Sequence, residues 1–179
     1  SAGVADLKKV LDQAKYSASH LKRKTLLLID EIHHFNRTQQ DVLLPSVERG
    51  DVLLICLTTE NPSFYVNAAL LSRFTAFEFQ PLSEDDLSKI AARALSDKER
   101  GLGKLKLKID EAALTHLLRM SGGDARKLLN ALELAALSTA PDAKGLRRVS
   151  LAVAEESIQR RSVRYDKKSD DHYDHISAF

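Results

Sequence analysis

Residues 25–31 read Thr25-Leu26-Leu27-Leu28-Ile29-Asp30-Glu31, a continuous apolar run closed by two acids. A run without alternation reads as a strand covered on both faces, the mark of a parallel sheet. Acids at its carboxyl end stand where open α/β sheets bind ligands. At that place Asp30 suits the Mg²⁺ of a bound nucleotide, held directly or through water. Glu31 suits the water that attacks a γ-phosphate. This is the Walker B pattern. Two acids capping a strand-to-helix turn is an equal reading of so short a string.

Working outward, helix and buried strand alternate up to about residue 80. Val4, Leu7, Val10, Leu11 and Ala14 mark one face of a helix before the run. A second helix is expected from about Thr38 to Glu48, with Gly50 as its stop. Val52 to Thr59 reads as a second buried strand, and Thr75 to Phe79 as a third, shorter one. From about residue 82 the strands are expected to stop. Ser83, Asp110, Asp124 and Ser150 each stand where a helix cap belongs. Glu84, Asp85 and Asp86 follow Ser83 in a first turn, where acids suit the helix dipole. Gly122-Gly123 closes the helix begun at Asp110, and the helix begun at Ser150 is expected to end near Arg160-Arg161. The expected fold class is therefore α/β then all-α: part of a parallel-sheet core over 1–80, followed by a helical module over 81–161. Residues 162–179 are polar and charged up to a final Ile176-Ser177-Ala178-Phe179.

Composition narrows the function classes. Of 179 residues, 44% are hydrophobic and 29% charged, ordinary for a folded domain and unlike a disordered or fibrous chain. No stretch approaches the roughly 18 apolar residues of a membrane span. Ser1 to Asp6 lacks the basic region and apolar core of a signal peptide. The single cysteine, Cys56, has no internal disulfide partner and fits a reducing compartment. A net charge of +2 is compatible with a nucleic-acid partner without arguing for one.

Three further strings bear on chemistry. Thr58-Thr59-Glu60-Asn61-Pro62 leaves the second strand, so a hydroxyl or amide there would share the crevice with Asp30 and Glu31; an ordinary turn before Asn-Pro is the plainer reading. Leu70-Leu71-Ser72-Arg73 precedes the expected third strand. Its arginine either faces solvent or projects into a neighbouring subunit's phosphate site. Gly122-Gly123-Asp124-Ala125-Arg126 puts Arg126 in the first turn of a capped helix. The dipole disfavours a cation there, which suggests an anionic partner, unless Asp124 balances it.

The order and spacing of these strings are similar to the layout of an AAA+ ATPase. More specifically, Ile29-Asp30-Glu31-Ile32-His33-His34-Phe35-Asn36-Arg37-Thr38-Gln39-Gln40-Asp41 and Thr58-Thr59-Glu60-Asn61-Pro62-Ser63-Phe64 resemble the replication-associated recombination protein A family. That family, RarA or MgsA, includes the eukaryotic Werner-helicase-interacting protein. Asn67 to Arg73, Tyr165-Asp166-Lys167-Lys168 and Asp171-His172-Tyr173 carry the same likeness, which covers nearly the whole chain. The resemblance implies a clamp-loader-like, DNA-dependent ATPase at stalled or damaged replication forks, using ATP and Mg²⁺. It implies a tetramer that works at single-stranded gaps and duplex ends with single-strand-binding protein. Its place would be the cytoplasm and nucleoid of a bacterium or the nucleus of a eukaryote. By position, Asp30 and Glu31 would be Walker B, with Asp30 on the metal and Glu31 catalytic. Thr59, with Asn61 nearby, would be sensor 1, Arg73 a finger acting in trans, and Arg126 sensor 2 on a helical lid. Residues 162–179 would begin an oligomerisation domain.

Two departures stand out. His34 occupies a position where the family commonly has arginine. No G-x-x-x-x-G-K-[ST] phosphate loop occurs in the chain; in the family it lies upstream of the position of Ser1. The chain is accordingly expected to be an internal fragment that binds ATP poorly by itself. The reading from another class is a non-catalytic scaffold or finger donor that binds DNA or replication proteins. Zinc at His33-His34 is disfavoured, since adjacent histidines are expected to point apart and no H-E-x-x-H spacing exists. Asp170-Asp171-His172 with Asp174-His175 reads as a solvated face. Lys22-Arg23-Lys24 and Arg160-Arg161 with Arg164 and Lys167-Lys168 could touch DNA phosphates, although clusters of this size are usually plain surface.

Overall fold

In the computed structural model, which describes residues 3–159, the decisive run forms β1 (Thr25–Ile29). It pairs in parallel with β2 (Val52–Cys56), Ile29 standing opposite Cys56. The two strands are joined through α2 (Arg37–Glu48), the crossover that parallel neighbours require. α1 (Val4–Leu21) precedes them. Leu7, Leu11 and Ala14 of α1, Ile29, Val52 and Leu54 of the sheet and Leu43 of α2 form one buried cluster. The opposite sheet face is different. Leu26, Leu28, Leu53 and Ile55 are 43–62% exposed, so only one face is covered among the described residues. The expectation of a strand covered on both faces is corrected to that extent. Both faces are apolar, as the run implies, but α1 and α2 pack on the same one.

After β2 come two short helices, α3 (Pro62–Tyr65) and α4 (Ala68–Leu71), capped by the side chains of Asn61 and Asn67. The expected third strand is absent: residues 75–79 join no ladder among the described residues. Phe77 and Phe79 are 79% and 89% exposed. β-propensity in Thr75, Phe77 and Phe79 describes a surface that fits a pleated sheet, and it makes no strand without a neighbour to pair with.

The chain divides into two compact units, Ser1–Glu78 and Phe79–Phe179. The second holds α5 (Glu84–Ser96), α6 (Glu111–Ser121), α7 (Ala125–Ser138) and α8 over 151–159. Ser83 and Asp124 cap through their side chains as expected, accepting from the N–H groups of Asp86 and Lys127. The second unit is not strand-free, which corrects the expectation. β3 (Leu107–Ile109) and β4 (Arg147–Val149) pair in parallel beside the helices. Three-residue strands are too short to show a period, and the charges around them read as loop. Leu87, Ala91, Leu117, Leu128, Leu132 and Val149 lie in this unit's core. No helix among the described residues is long and apolar enough to cross a membrane. The sequence readings at Arg160-Arg161, Arg164, Lys167-Lys168, Tyr165–Tyr173, Asp174-His175 and the 162–179 segment lie outside the described residues.

Candidate functional site

The β1–β2 ladder continues beyond the strands. Leu57 N–H donates to Ile29 O at 2.8 Å, and Ile32 N–H donates to Leu57 O at 3.0 Å. These bonds bring the segment after Ile29 beside the segment after Cys56. Asp30 emerges exposed, with no hydrogen bond or ion pair for its carboxylate among the described residues. Glu31 follows in a left-handed conformation, φ 54° and ψ 54°, at the entrance of a 3-10 turn, Ile32–His34. A residue with a Cβ adopts this conformation at a cost of about 1 kcal/mol.

The turn carries His33 back to Glu31. Its Nδ1 lies 3.2 Å from Glu31 Oε2 and 2.9 Å from Thr58 Oγ1. Glu31 Oε2 is buried, and the imidazole is not aligned to give it a hydrogen bond, so that oxygen has a close ring nitrogen but no hydrogen-bond partner among the described residues. Thr58 Oγ1 also accepts from the Glu60 N–H at 3.0 Å. The His33 ring is held between His34, 4.2 Å away centroid to centroid, and the edge of Tyr65 at 5.9 Å. The two histidines thus lean together, contrary to the expectation that they point apart, because the tight turn folds their rings over each other. Among the described residues no group of three or more His, Cys, Asp or Glu is placed to hold a metal ion.

The string after the turn is structural. Asn36 Oδ1 accepts from Gln39 N–H while Gln39 Oε1 accepts from Asn36 N–H, a reciprocal cap on α2. Gln40, 1% exposed, donates from Nε2 to Phe35 O and Tyr65 O and accepts from Asn67 N–H. Asn67 Nδ2 donates to Asp41. One buried amide therefore ties the turn, α2, α3 and α4 together.

Arg73 is not with the acids. It lines a cavity of about 310 Å³ with Lys24, Val52 and Phe74, beside the starts of β1 and β2. Asp30 and Glu31 lie past the other end of β1, a five-residue strand that spans roughly 16 Å. Arg73 donates to Ala69 O and pairs with Glu48. Thr59 is exposed after β2, and the Asn61 side chain accepts from Ser63 N–H as the cap of α3. Arg126 belongs to the second unit. It is exposed in the first turn of α7 and has no ion pair among the described residues, because Asp124 accepts from the Lys127 N–H instead. Cys56 is half-buried, and burial pushes its thiol up to about 11, which suits packing rather than nucleophilic chemistry.

Gln40 and Glu48 were given no role of their own by the sequence, and His33 was given none toward Glu31; Thr58 was expected in the crevice beside Asp30 and Glu31 only as one polar residue among several. The register supplies the signal for Thr58. With Ile29 opposite Cys56, two steps on bring Glu31 level with Thr58, whereas the sequence alone does not distinguish Thr58 from Thr59.

Residues 1–82 match the ATPase family associated with various cellular activities (AAA), and residues 103–179 match the AAA C-terminal domain. Replication-associated recombination protein A of Bacillus subtilis is 42% identical over 174 residues, covering 97% of this chain and 40% of that protein. The Escherichia coli K12 protein of the same name is 36% identical over 99% of this chain and 40% of its own length. The ATPase WRNIP1 of Dictyostelium discoideum is 36% identical over 99% of this chain and 22% of its own. Among solved structures, the FIGL-1 AAA domain in complex with ADP superposes with a TM-score of 0.60 at 16% identity, over 90% of this chain and 63% of that one. The chain spans about 40% of the length of the bacterial relatives. Two family domains in order, and relatives of one kind aligned nearly end to end, place the chain in the replication-associated recombination protein A family of AAA ATPases.

Proposed function

We propose that this chain supplies the acid-bearing half of an ATP-hydrolysing site in a clamp-loader-like, DNA-dependent ATPase that maintains replication forks and supports recombination. The observation that carries the reading is the meeting of Glu31 with His33 and Thr58 at the carboxyl ends of two parallel strands. That is the position from which α/β sheets act on ligands. The donors fit a nucleotide-borne Mg²⁺: Asp30 offers an exposed, unengaged carboxylate, the single ligand such an ion commonly takes from a protein alongside phosphate and water. The bound ion would neutralise charge on the phosphates. Glu31 would take the proton of the attacking water, and Thr59 would orient it. Position supports a trans role for Arg73, since it stands at the far end of the strands from its own acids. Arg126, lacking a counter-charge at a helix start, fits a phosphate sensor in the second unit, which would act as the lid.

In this reading the protein works as a homo-oligomer, a tetramer as the family resemblance implies, and meets DNA at gaps, duplex ends and forks with single-strand-binding protein. The phosphate cradle would come from residues outside this chain, so the chain alone would neither hold nor hydrolyse ATP well. Glu31→Gln in the full-length protein tests the site: turnover should vanish while ATP binding persists. Turnover within a few-fold of the unsubstituted protein would remove Glu31 from the role. Calorimetric titration of Mg-ATP into the 179-residue chain tests the division of the site, and micromolar binding would overturn it.

A further inference from the structure

We infer that His33 is a positioning residue for Glu31, and that Thr58 is the latch deciding which acceptor the imidazole serves. The inference rests on the reading of Glu31 as the group that takes the water's proton. Its basis is a three-body geometry. One imidazole nitrogen, Nδ1, stands 2.9 Å from a hydroxyl and 3.2 Å from a carboxylate oxygen. That carboxylate oxygen is buried and lacks an aligned donor.

Elementary electrostatics fixes the proton. A carboxylate oxygen can only accept. A bare Nδ1 lone pair 3.2 Å from it would set two acceptors against each other, so the proton belongs on Nδ1. The Nδ1–H then has two acceptors in reach, Thr58 Oγ1 and Glu31 Oε2. Thr58 is the nearer and the better aligned, so in this state it holds the N–H and leaves Glu31 unserved. A small turn of the ring or a shift of Thr58 hands the same N–H to the carboxylate. The tilted ring of His34 and the edge of Tyr65 confine the imidazole, so a small displacement of Thr58 changes which acceptor it serves.

Thr58 is well placed to be displaced. It sits at the exit of β2, its hydroxyl accepts from Glu60 N–H, and Thr59 and Asn61 lie within three residues of it. A nucleotide contact on this loop would move the latch and so the N–H. Glu31 would then be held in one orientation when the loop is engaged, and less firmly otherwise. His33 touches neither phosphate nor water in this scheme; it acts through Glu31.

The test is steady-state and single-turnover ATP hydrolysis by the full-length protein. His33→Leu should lower kcat by about 10- to 100-fold, the scale of a misplaced reacting group. KM and ATP affinity should stay within about threefold, as expected when an interaction is realised only in the transition state. His33→Asn, which keeps an N–H near the Nδ1 position, should recover much of the loss. Thr58→Val removes the competing acceptor and leaves the N–H to Glu31, so it should raise kcat, and Thr58→Ser, which restores the hydroxyl, should return kcat to that of the unsubstituted protein. The double variant His33→Leu/Thr58→Val should be as slow as His33→Leu alone, because without the imidazole there is no N–H for Thr58 to withhold. Multiplying effects, an unchanged kcat, or losses in kcat and KM that track a fall in Tm would each overturn the inference. Should His33→Leu fail to fold, the Thr58→Val and Thr58→Ser pair decides it alone: equal kcat for the two overturns it. Glu31→Gln separates the two levels. If it remains active, the reading of the site fails; if it is dead while His33→Leu matches the unsubstituted protein, only the positioning role fails.

Discussion

Arg73 is tied to Glu48, the last residue of α2, by an ion pair between guanidinium and carboxylate. Both side chains are more than a third exposed, and pairs of this kind contribute about 0.2–1 kcal/mol. The pair therefore parks the guanidinium without locking it. Arg73→Ala should change the urea-unfolding free energy by less than about 1 kcal/mol. If Arg73 reaches a neighbour's site, the same substitution should cut ATP turnover of the assembled protein by about 10³-fold or more. A variant that hydrolyses ATP nearly as fast as the unsubstituted protein would leave Arg73 a surface residue.

Gln40 presents the opposite case. It is buried and makes three hydrogen bonds to main-chain groups of three segments. Gln40→Leu matches it in size but strands two carbonyls and one N–H. Leaving partly buried groups unpaired in this way should cost about 3 kcal/mol in total, read from urea denaturation. Turnover should fall as well, since Tyr65 flanks the His33 ring. A loss under about 1 kcal/mol would mean that water replaces the amide.

Glycines 123 and 50 offer a matched comparison. Both have positive φ, +83° and +73°. A Cβ on Gly123 would lie 2.5 Å from Pro81 Cβ, whereas one on Gly50 would meet nothing within 4 Å. Gly50→Ala should thus carry only the backbone cost of about 1–2 kcal/mol. Gly123→Ala should carry that plus a steric displacement, typically about another 1–3 kcal/mol. Thermal unfolding of the two variants should rank them in that order, and equal shifts in Tm would show that Pro81 yields.

The carboxyls of Asp86 and Asp97 are held below their ordinary value of 3.8, the first by the Ser83 hydroxyl and then Lys89, the second by the N–H groups of Arg100 and Glu99. Folded values below unfolded ones stabilise the chain above pH 3.8, and the gain is lost as pH falls through the folded values. Cys56 runs the other way. Its folded value of about 11 exceeds the ordinary 9.0, so its contribution is complete below pH 9.0 and disappears as pH rises towards 11. Stability followed by urea titration should therefore decline at both extremes. Alkylation of Cys56 at about pH 8.5, near the ordinary thiol value, should be much slower in the folded protein than in urea; equal rates would contradict the burial effect.

How much of this was legible beforehand depends on the range of the interaction. Thr25–Ile29 and Asp30-Glu31 announced the strand and its acids because a run of four apolar residues and its terminus are local. The caps at Ser83 and Asp124 were legible for the same reason. The segment 75–79 misled because Phe77 and Phe79 carry strand propensity, while pairing depends on a partner that propensity does not specify. β3 and β4 escaped notice at three residues each, and their pairing joins positions 40 apart in the chain, such as Leu107 and Arg147. At the site, Glu31 was visible as an acid, but its neighbours His33 and Thr58 meet across 25 positions, and only the strand register brings them together. Gln40 entered the sequence reading only within the Ile29–Asp41 string, and its burial follows from three partners that no local pattern specifies.

Glu31 also shows where folding and chemistry pull apart. Its backbone sits in a region that glycine occupies freely and glutamate does not, and one of its oxygens is buried without a satisfied bond. Screening for heat resistance alone would drift towards Glu31→Gly, a change that relaxes the turn and leaves nothing there to accept a proton. On the proposed reading of Glu31 as the group that takes the water's proton, a carboxylate at such a place answers a demand that thermal endurance does not measure, and ranking sequences by foldability would score this position as a defect.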